Sequence, residues 1–330
     1  MLAPPAAREQ AAAVERLEMY LSRLCGGSTP EISQQTRRVI LAGGKRLRPR
    51  LAWLCGRMGG ASTDELLPLM AILELMHTAS LLHDDVVDGA AERRGAPTVQ
   101  MLLGERAAVQ CGDFLLARAM ELLGAYQGTG VGPLIADTFT AMCRGELEQL
   151  AAAERPAGQT LAGYYRRMKA KTARLIRTCC QAGAMAAGLE GETVEALGRY
   201  GLHLGLAFQL RDDLLDFASP AHTGKPRGQD LRRGLHTLPV LYARAHDRAL
   251  AADLARPVRG QEELDGLLER VCRSGGLTVA QRAVEKSASA ALAALAPLAR
   301  FPQTPTLMEY AHILARPLPA AIFQTEDATV

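Results

Sequence analysis

Asp84, Asp85 and Asp88 stand in the segment Ser80-Leu81-Leu82-His83-Asp84-Asp85-Val86-Val87-Asp88, and Arg93-Arg94-Gly95 follows five residues on. At about 100° per residue, Asp84 and Asp88 lie one above the other on a helix, with Asp85 displaced toward an edge. Such a pair can hold a cation between its carboxylates. The pattern recurs in Gln209-Leu210-Arg211-Asp212-Asp213-Leu214-Leu215-Asp216, where Asp212 and Asp216 are again four apart and Gln209 stands one turn earlier. Two such faces across a cavity would repel, so something cationic must lie between them. Hard oxygen ligands in helical array suggest Mg²⁺, which completes its shell with water and substrate phosphate oxygens. A diphosphate substrate is the inference.

Acids on helices are ordinarily solvated. Here they adjoin the apolar runs Ala79-Ser80-Leu81-Leu82 and Leu204-Gly205-Leu206-Ala207-Phe208, which predict buried helix, where an acid needs a partner. Gly43-Gly44-Lys45-Arg46-Leu47-Arg48-Pro49 is a candidate anion site: paired glycines let the backbone approach a phosphate, and three cations follow. A basic helix-start loop on the surface is the competing reading. His77 points roughly where the acids point and is a candidate for a second phosphate, against the alternative of a core histidine. Glu146 and Gln149 could each be an ordinary polar surface residue, and the polar loop 222–231 follows the second acid group closely enough to serve as a lid over it.

The elements that must position these residues read as helices. They cover 10–24, 31 to the paired glycines, 66–88, 98–123 and 134–153, followed by one N-capped by Thr160 and a second acidic helix ending near Ser219-Pro220. Helical patterns then run from 237 to 314. With 48% hydrophobic, 22% charged and only 4% aromatic residues and much Ala and Leu, the 330-residue chain is expected to be all-α. No composition shift marks a boundary, so a single domain over 1–330 is expected, with the tail from Pro317 unassigned. A formal charge of +3 without dense Lys/Arg runs argues against nucleic acid. Seven cysteines without a CxxC pair fit a reducing cytoplasm. Neither a signal pattern nor an uninterrupted apolar run of about 18 residues occurs, so a cytoplasmic, non-transmembrane protein is expected, with peripheral membrane contact at product release left open.

Taken together, Gly43 to Pro49, His77, Leu82 to Asp88, Arg93-Arg94-Gly95, Lys171-Thr172, Gln209 to Asp216 and Gly224-Lys225 resemble the trans-isoprenyl diphosphate synthases over roughly residues 10–315. The resemblance implies an isoprenoid synthase-type helical bundle around a deep cavity, usually dimeric. It implies that Asp84, Asp88 and Asp212 ligate Mg²⁺, with Asp85, Asp213 and Asp216 in support. It assigns Arg93, Lys171, Thr172, Gln209 and Lys225 to the diphosphate of the allylic substrate, farnesyl or geranylgeranyl diphosphate. Lys45, Arg48, His77 and Arg94 are assigned to isopentenyl diphosphate.

The reaction implied is head-to-tail prenyl transfer. Small residues one turn before Asp84, Ala79 and Ser80, leave the product cavity open, with Met76 at the next constriction. A long all-trans chain, heptaprenyl to decaprenyl, of the kind attached to quinones is therefore expected; a farnesyl or geranylgeranyl product is the alternative. Leu235 stands where the family commonly has Lys, a contact that Arg233 or His236 could supply. The run Lys171 to Ile176 with Cys180 to Ala184 looks most like the catalytic component of two-component heptaprenyl diphosphate synthases, so a homodimer and a heterodimer with a non-catalytic second polypeptide both stay open. A class I terpene cyclase would mix Asn, Ser and Glu in its second motif, and a regulatory subunit would have no reason to keep both acid groups.

Overall fold

The computed structural model describes residues 5–26, 29–224 and 226–323. Helices dominate it, in the order α1 (Pro5–Leu24), α2 (Pro30–Leu41), α3 (Leu47–Met58) and α4 (Thr63–Val87). A two-stranded hairpin, β1 (Glu92–Arg93) and β2 (Ala96–Pro97), precedes α5 (Val99–Leu103), α6 (Glu105–Leu122), α7 (Val131–Ala153) and α8 (Leu161–Met168). After a π-helical turn at Lys169–Ala173 come α9 (Arg174–Ala186), α10 (Gly191–Leu215), α11 (Pro220–Thr223) and α12 (Gln229–Arg232). The series closes with α13 (Leu238–His246), α14 (Arg248–Asp253), α15 (Gly260–Arg273), α16 (Gly276–Ala294) and α17 (Thr304–Ala315).

Chain contacts divide into two compact units, residues 1–135, 179–197 and 300–307 in the first and 136–178, 198–299 and 308–330 in the second. The first is built around α4, which packs on α3 and α6. Ser62 and Glu65 start α4 with a capping box: the Ser62 hydroxyl accepts from the Glu65 amide at 3.3 Å, and the Glu65 carboxylate from the Ser62 amide at 2.7 Å. Beside Pro68, the Tyr126 hydroxyl accepts from the Leu69 amide at 2.9 Å and donates to the Glu65 carbonyl at 2.7 Å. It thus bridges two groups that an unbroken helix would pair directly. By length and composition α4 could cross a membrane, but 72% of its apolar window is buried within the protein, as befits a core helix.

In the second unit Tyr164, Met168, Leu206, Leu210 and Leu214 share a core with Leu238, Ala280 and Val284. Phe217, Leu231, Val240, Leu250 and Leu264 form another. Each such large apolar side chain, fully buried, contributes roughly 1.5–3 kcal/mol.

The helix expected over 98–123 is two helices, divided at Gly104, whose φ of +86° an L side chain rarely adopts. Helix α3 starts at Leu47, inside the basic stretch, as the helix-start reading of that stretch has it, so Arg48 and Pro49 lie in its first turn. The second acidic helix stops at Leu215, before Ser219-Pro220.

Candidate active site

In the first unit all three acids crowd the C-terminal end of α4. Asp84 and Asp85 lie in its last turn, Asp88 is its C-cap, and that turn holds no basic residue. Unsatisfied carbonyls give a helix C-terminus partial negative charge, so three carboxylates crowded there repel one another and draw cations. Asp85 is the most buried, 4% exposed, and accepts from Arg93 Nε at 2.7 Å. Burial pushes its pKa up, and Arg93 opposes that rise. Asp84 is half-buried and Asp88 exposed.

Arg93 is held by the hairpin, whose turn takes Arg94 and Gly95 through φ of +54° and +74°, the positive pair of a type I′ connection. Arg94 in turn rests on the paired glycines. Its guanidinium donates to the Gly43 carbonyl and lies 3.2 Å from where a Gly44 Cβ would stand. Gly44, at φ +138°, is therefore required both by backbone conformation and by the approach of Arg94.

The loop's three cations do not act together. Arg46 turns inward, its side chain 3% exposed, donating to Glu18 at 2.6 Å and Glu74 at 2.5 Å. It is a structural pillar, which corrects the expectation of three anion-binding cations. Lys45 is exposed. Arg48 approaches His77, and its Nε is buried without a partner. His77 and Arg94 line a cavity of about 110 Å³. Burial first, then the surrounding Arg48, Arg94, Arg93 and Arg46, hold the His77 pKa well below the ordinary histidine range, so the imidazole is neutral. Among the expected isopentenyl diphosphate residues, the structure thus brings His77, Arg94 and Arg48 close to one another.

In the second unit Asp212 and Asp213 sit in the last turn of α10, again without a basic residue in that turn, and Asp216 follows the helix end. Asp213 is buried, 4% exposed, and fully engaged. Tyr164 Oη donates to it at 2.5 Å and Gln209 Nε2 at 2.8 Å, while Thr172 Oγ1 donates to Gln209 Oε1 at 2.7 Å. Burial raises the Asp213 pKa to about 7, with Asp212 and Asp216 pushing the same way and the two hydrogen bonds opposing. Thr172 and Gln209 therefore brace the acid group in this structure.

Asp216 accepts the amides of Gln229 at 2.9 Å and Asp230 at 3.1 Å, and its carbonyl accepts the Gly228 amide at 2.7 Å. These bonds, with Arg227 on Asp265 at 3.0 Å, pin residues 227–230, so that part of the expected lid is anchored. They also set a fourth carboxylate among the acids. Burial, then Asp216, Asp213 and Asp212, push the Asp230 pKa well up, and Arg233 opposes them. Sequence reasoning missed Asp230; its signal was an acid fourteen residues beyond Asp216 within a basic loop. Lys225 lies outside the described residues.

Lys171 and Thr172 ride on the π-helical turn, and an extra residue per turn re-aims their side chains. Two glycines make room for it. A Cβ on Gly205 would meet Ala173 Cα at 2.6 Å, and one on Gly145 would meet Ala170 Cβ at 2.9 Å. Lys171 Nζ reaches Glu146 at 2.5 Å, so Glu146, read from sequence as a surface residue, orients that lysine.

His236 is not available to replace the lysine missing at Leu235. It is 2% exposed, its ring contacts Arg244 at 3.2 Å, and its amide donates to Gln159 at 3.0 Å. Burial, then Arg244 and Arg167, push its pKa down to about 4. Arg233 remains near Asp216 and Asp230. A histidine that titrates near 6.5 when unfolded and about 4 when folded binds more protons in the unfolded chain between those values. Its contribution is whole above pH 6.5 and is lost as pH falls toward 4. Urea unfolding at pH 7 and pH 5 should show His236→Asn losing about 2 kcal/mol less than the native chain over that interval.

Met76 and Ala79 are fully buried on α4 and Ser80 is half-buried, its hydroxyl donating to the His77 carbonyl at 2.8 Å. None of the three lines the cavity holding His77. Among the described residues no three acidic, His or Cys side chains converge into a closed metal cage. The donors present fit a hard divalent cation that takes much of its shell from water and substrate oxygens.

Helical units with acid-crowded helix ends, and arginines gathered about a neutral histidine, define a protein that manages highly anionic ligands. The polyprenyl synthetase family model matches residues 29–271, and the chain belongs to that family and is a prenyltransferase. It is 39% identical over 237 residues to heptaprenyl diphosphate synthase component 2 of Geobacillus stearothermophilus, covering 72% of this chain and 74% of that one. To the octaprenyl diphosphate synthase of Escherichia coli it is 36% identical, over 83% of this chain and 86% of that one. Its structure resembles a polyprenyl synthase from Caulobacter crescentus complexed with calcium and isoprenyl diphosphate, with a TM-score of 0.87 and 34% identity, covering 94% and 97% of the two chains.

Proposed function

We propose that this chain condenses isopentenyl diphosphate with an allylic diphosphate, farnesyl or geranylgeranyl, and repeats the step to a long all-trans polyprenyl diphosphate of heptaprenyl to decaprenyl length. The observation that carries the reading is the crowding of Asp213, Asp216 and Asp230 around Asp212: burial first, and then their mutual repulsion, raises the pKa values of Asp213, Asp216 and Asp230, and the group calls for a cation. Mg²⁺, held by Asp212 and by Asp84 and Asp88, would neutralise the allylic diphosphate and favour its departure. Lys171, set by Glu146, joins Arg93, Thr172, Gln209 and Lys225 on that diphosphate. His77, Arg94, Arg48 and Lys45 hold isopentenyl diphosphate. The allylic C–O bond breaks, the carbocation alkylates the double bond, and a proton leaves to the released diphosphate, which needs no protein base.

The names of the relatives support a long product, and so does the small Ser80 one turn before Asp84. Sizing labelled products tests this. The native chain should give heptaprenyl or longer chains, whereas Ser80→Phe should shift most product to geranylgeranyl or shorter; an unchanged distribution would show that the product does not pass Ser80. Ser80 is the better site for an aromatic because Ala79, fully buried, has no room for one.

Likeness to a component 2 favours a two-component enzyme, and exposed Met101, Leu102 and Leu103 on α5 with Val109 and Met120 on α6 offer apolar surface for association. Native mass separates a homodimer from a chain that awaits a second polypeptide.

A further inference from the structure

The cavity in the first unit holds a residue that the family motifs do not include. Its wall carries four guanidiniums, those of Arg38, Arg46, Arg93 and Arg94, against two carboxylates, Glu74 and Asp85. Both carboxylates are already engaged, Glu74 by Arg46 at 2.5 Å and Asp85 by Arg93 at 2.7 Å. Arg94 has spent one donor on the Gly43 carbonyl. His77, on the same wall, is neutral and adds no charge. The cavity is therefore electropositive, and its volume of about 110 Å³ is the room of three or four liquid waters at roughly 30 Å³ each, suited to one phosphoryl group.

Arg38 comes from the last turn of α2 and is held on two sides. Its Nε donates to Gln35 Oε1 at 2.8 Å, and its Nη1 to the carbonyl of Pro97, on the strand paired with that bearing Arg93, at 2.9 Å. Nη2 is buried and has no acceptor. A guanidinium fixed at two nitrogens with the third desolvated and unpaired is preorganised for an anion, since buried donors otherwise find partners.

We propose that Arg38 is a further binding residue for isopentenyl diphosphate, its Nη2 donating to the phosphoryl group seated beside His77 and Arg94. This rests on the assignment of that cavity to isopentenyl diphosphate. Through Pro97 the same side chain ties the hairpin to α2, so ligand and hairpin share one anchor.

Calorimetric titration with isopentenyl diphosphate, and steady-state kinetics with each substrate varied in turn, test the proposal on the full chain. Arg38→Gln should weaken isopentenyl diphosphate binding and raise its KM at least tenfold, leave the KM for farnesyl diphosphate within twofold, and preserve the circular dichroism spectrum. Arg38→Lys, which keeps the charge but not the fork, should lose about threefold and reads the same quantity if the Gln variant does not fold. Arg37→Ala, whose guanidinium donates instead to the Ser22 carbonyl, should change neither KM. Unchanged isopentenyl diphosphate affinity in the Arg38 variants, or equal rises in both KM values, would overturn the role of Arg38 alone. A native chain that binds no isopentenyl diphosphate would overturn the assignment of the cavity itself.

Discussion

Asp84→Ala should cut isopentenyl diphosphate incorporation at least a hundredfold while moving unfolding stability by less than about 1 kcal/mol. The two readouts part because of where Asp84 stands. It is half-buried in the last turn of α4, beside Asp85 and the C-cap Asp88, at the end of a helix whose dipole opposes a carboxylate. Removing a charge from such a place relieves part of the repulsion among the acids, whereas turnover loses a carboxylate that the cation and its diphosphate need. Radiolabel incorporation and urea unfolding on the same preparation check both halves. Loss of stability with retained turnover would place Asp84 among the structural acids.

Arg46→Ala should do the reverse, destabilising the protein by about 3–5 kcal/mol. The guanidinium lies between Glu18 and Glu74, and the Glu74 side chain is only 7% exposed, so truncation strands a buried carboxylate. Replacing the buried pair, Arg46→Met with Glu74→Met, should recover most of the loss, because the one carboxylate left without its guanidinium is that of Glu18, which at 34% exposed reaches water. Urea midpoints of the single and double variants test this. A single-variant loss below about 1 kcal/mol would mean that the pair is solvated.

These two residues also show how far the sequence could be read. The acids at 84–88 and 212–216 were legible because the four-residue spacing needs only helical geometry, and an all-α fold followed from composition. Arg46 was not, since nothing local marks which cation of Lys45-Arg46-Leu47-Arg48 turns inward; that depends on Glu18 and Glu74, each twenty-eight residues away. Glu146 and Tyr164 were missed for the same reason, their partners Lys171 and Asp213 being distant in sequence. The resemblance assigned Thr172 and Gln209 to the allylic diphosphate; their mutual hydrogen bond and their bracing of Asp213 were not legible in the sequence. His236 looked available beside Leu235 because burial cannot be read from one residue type.

The central claim, Mg²⁺-dependent prenyl transfer, is tested most directly by incubating the purified chain with labelled isopentenyl diphosphate and farnesyl diphosphate, with and without Mg²⁺, and extracting the lipid product. The account predicts Mg²⁺-dependent label in chains of heptaprenyl length or longer, from the chain alone or on addition of a second component. A chain that binds neither diphosphate in the presence of Mg²⁺ would contradict it.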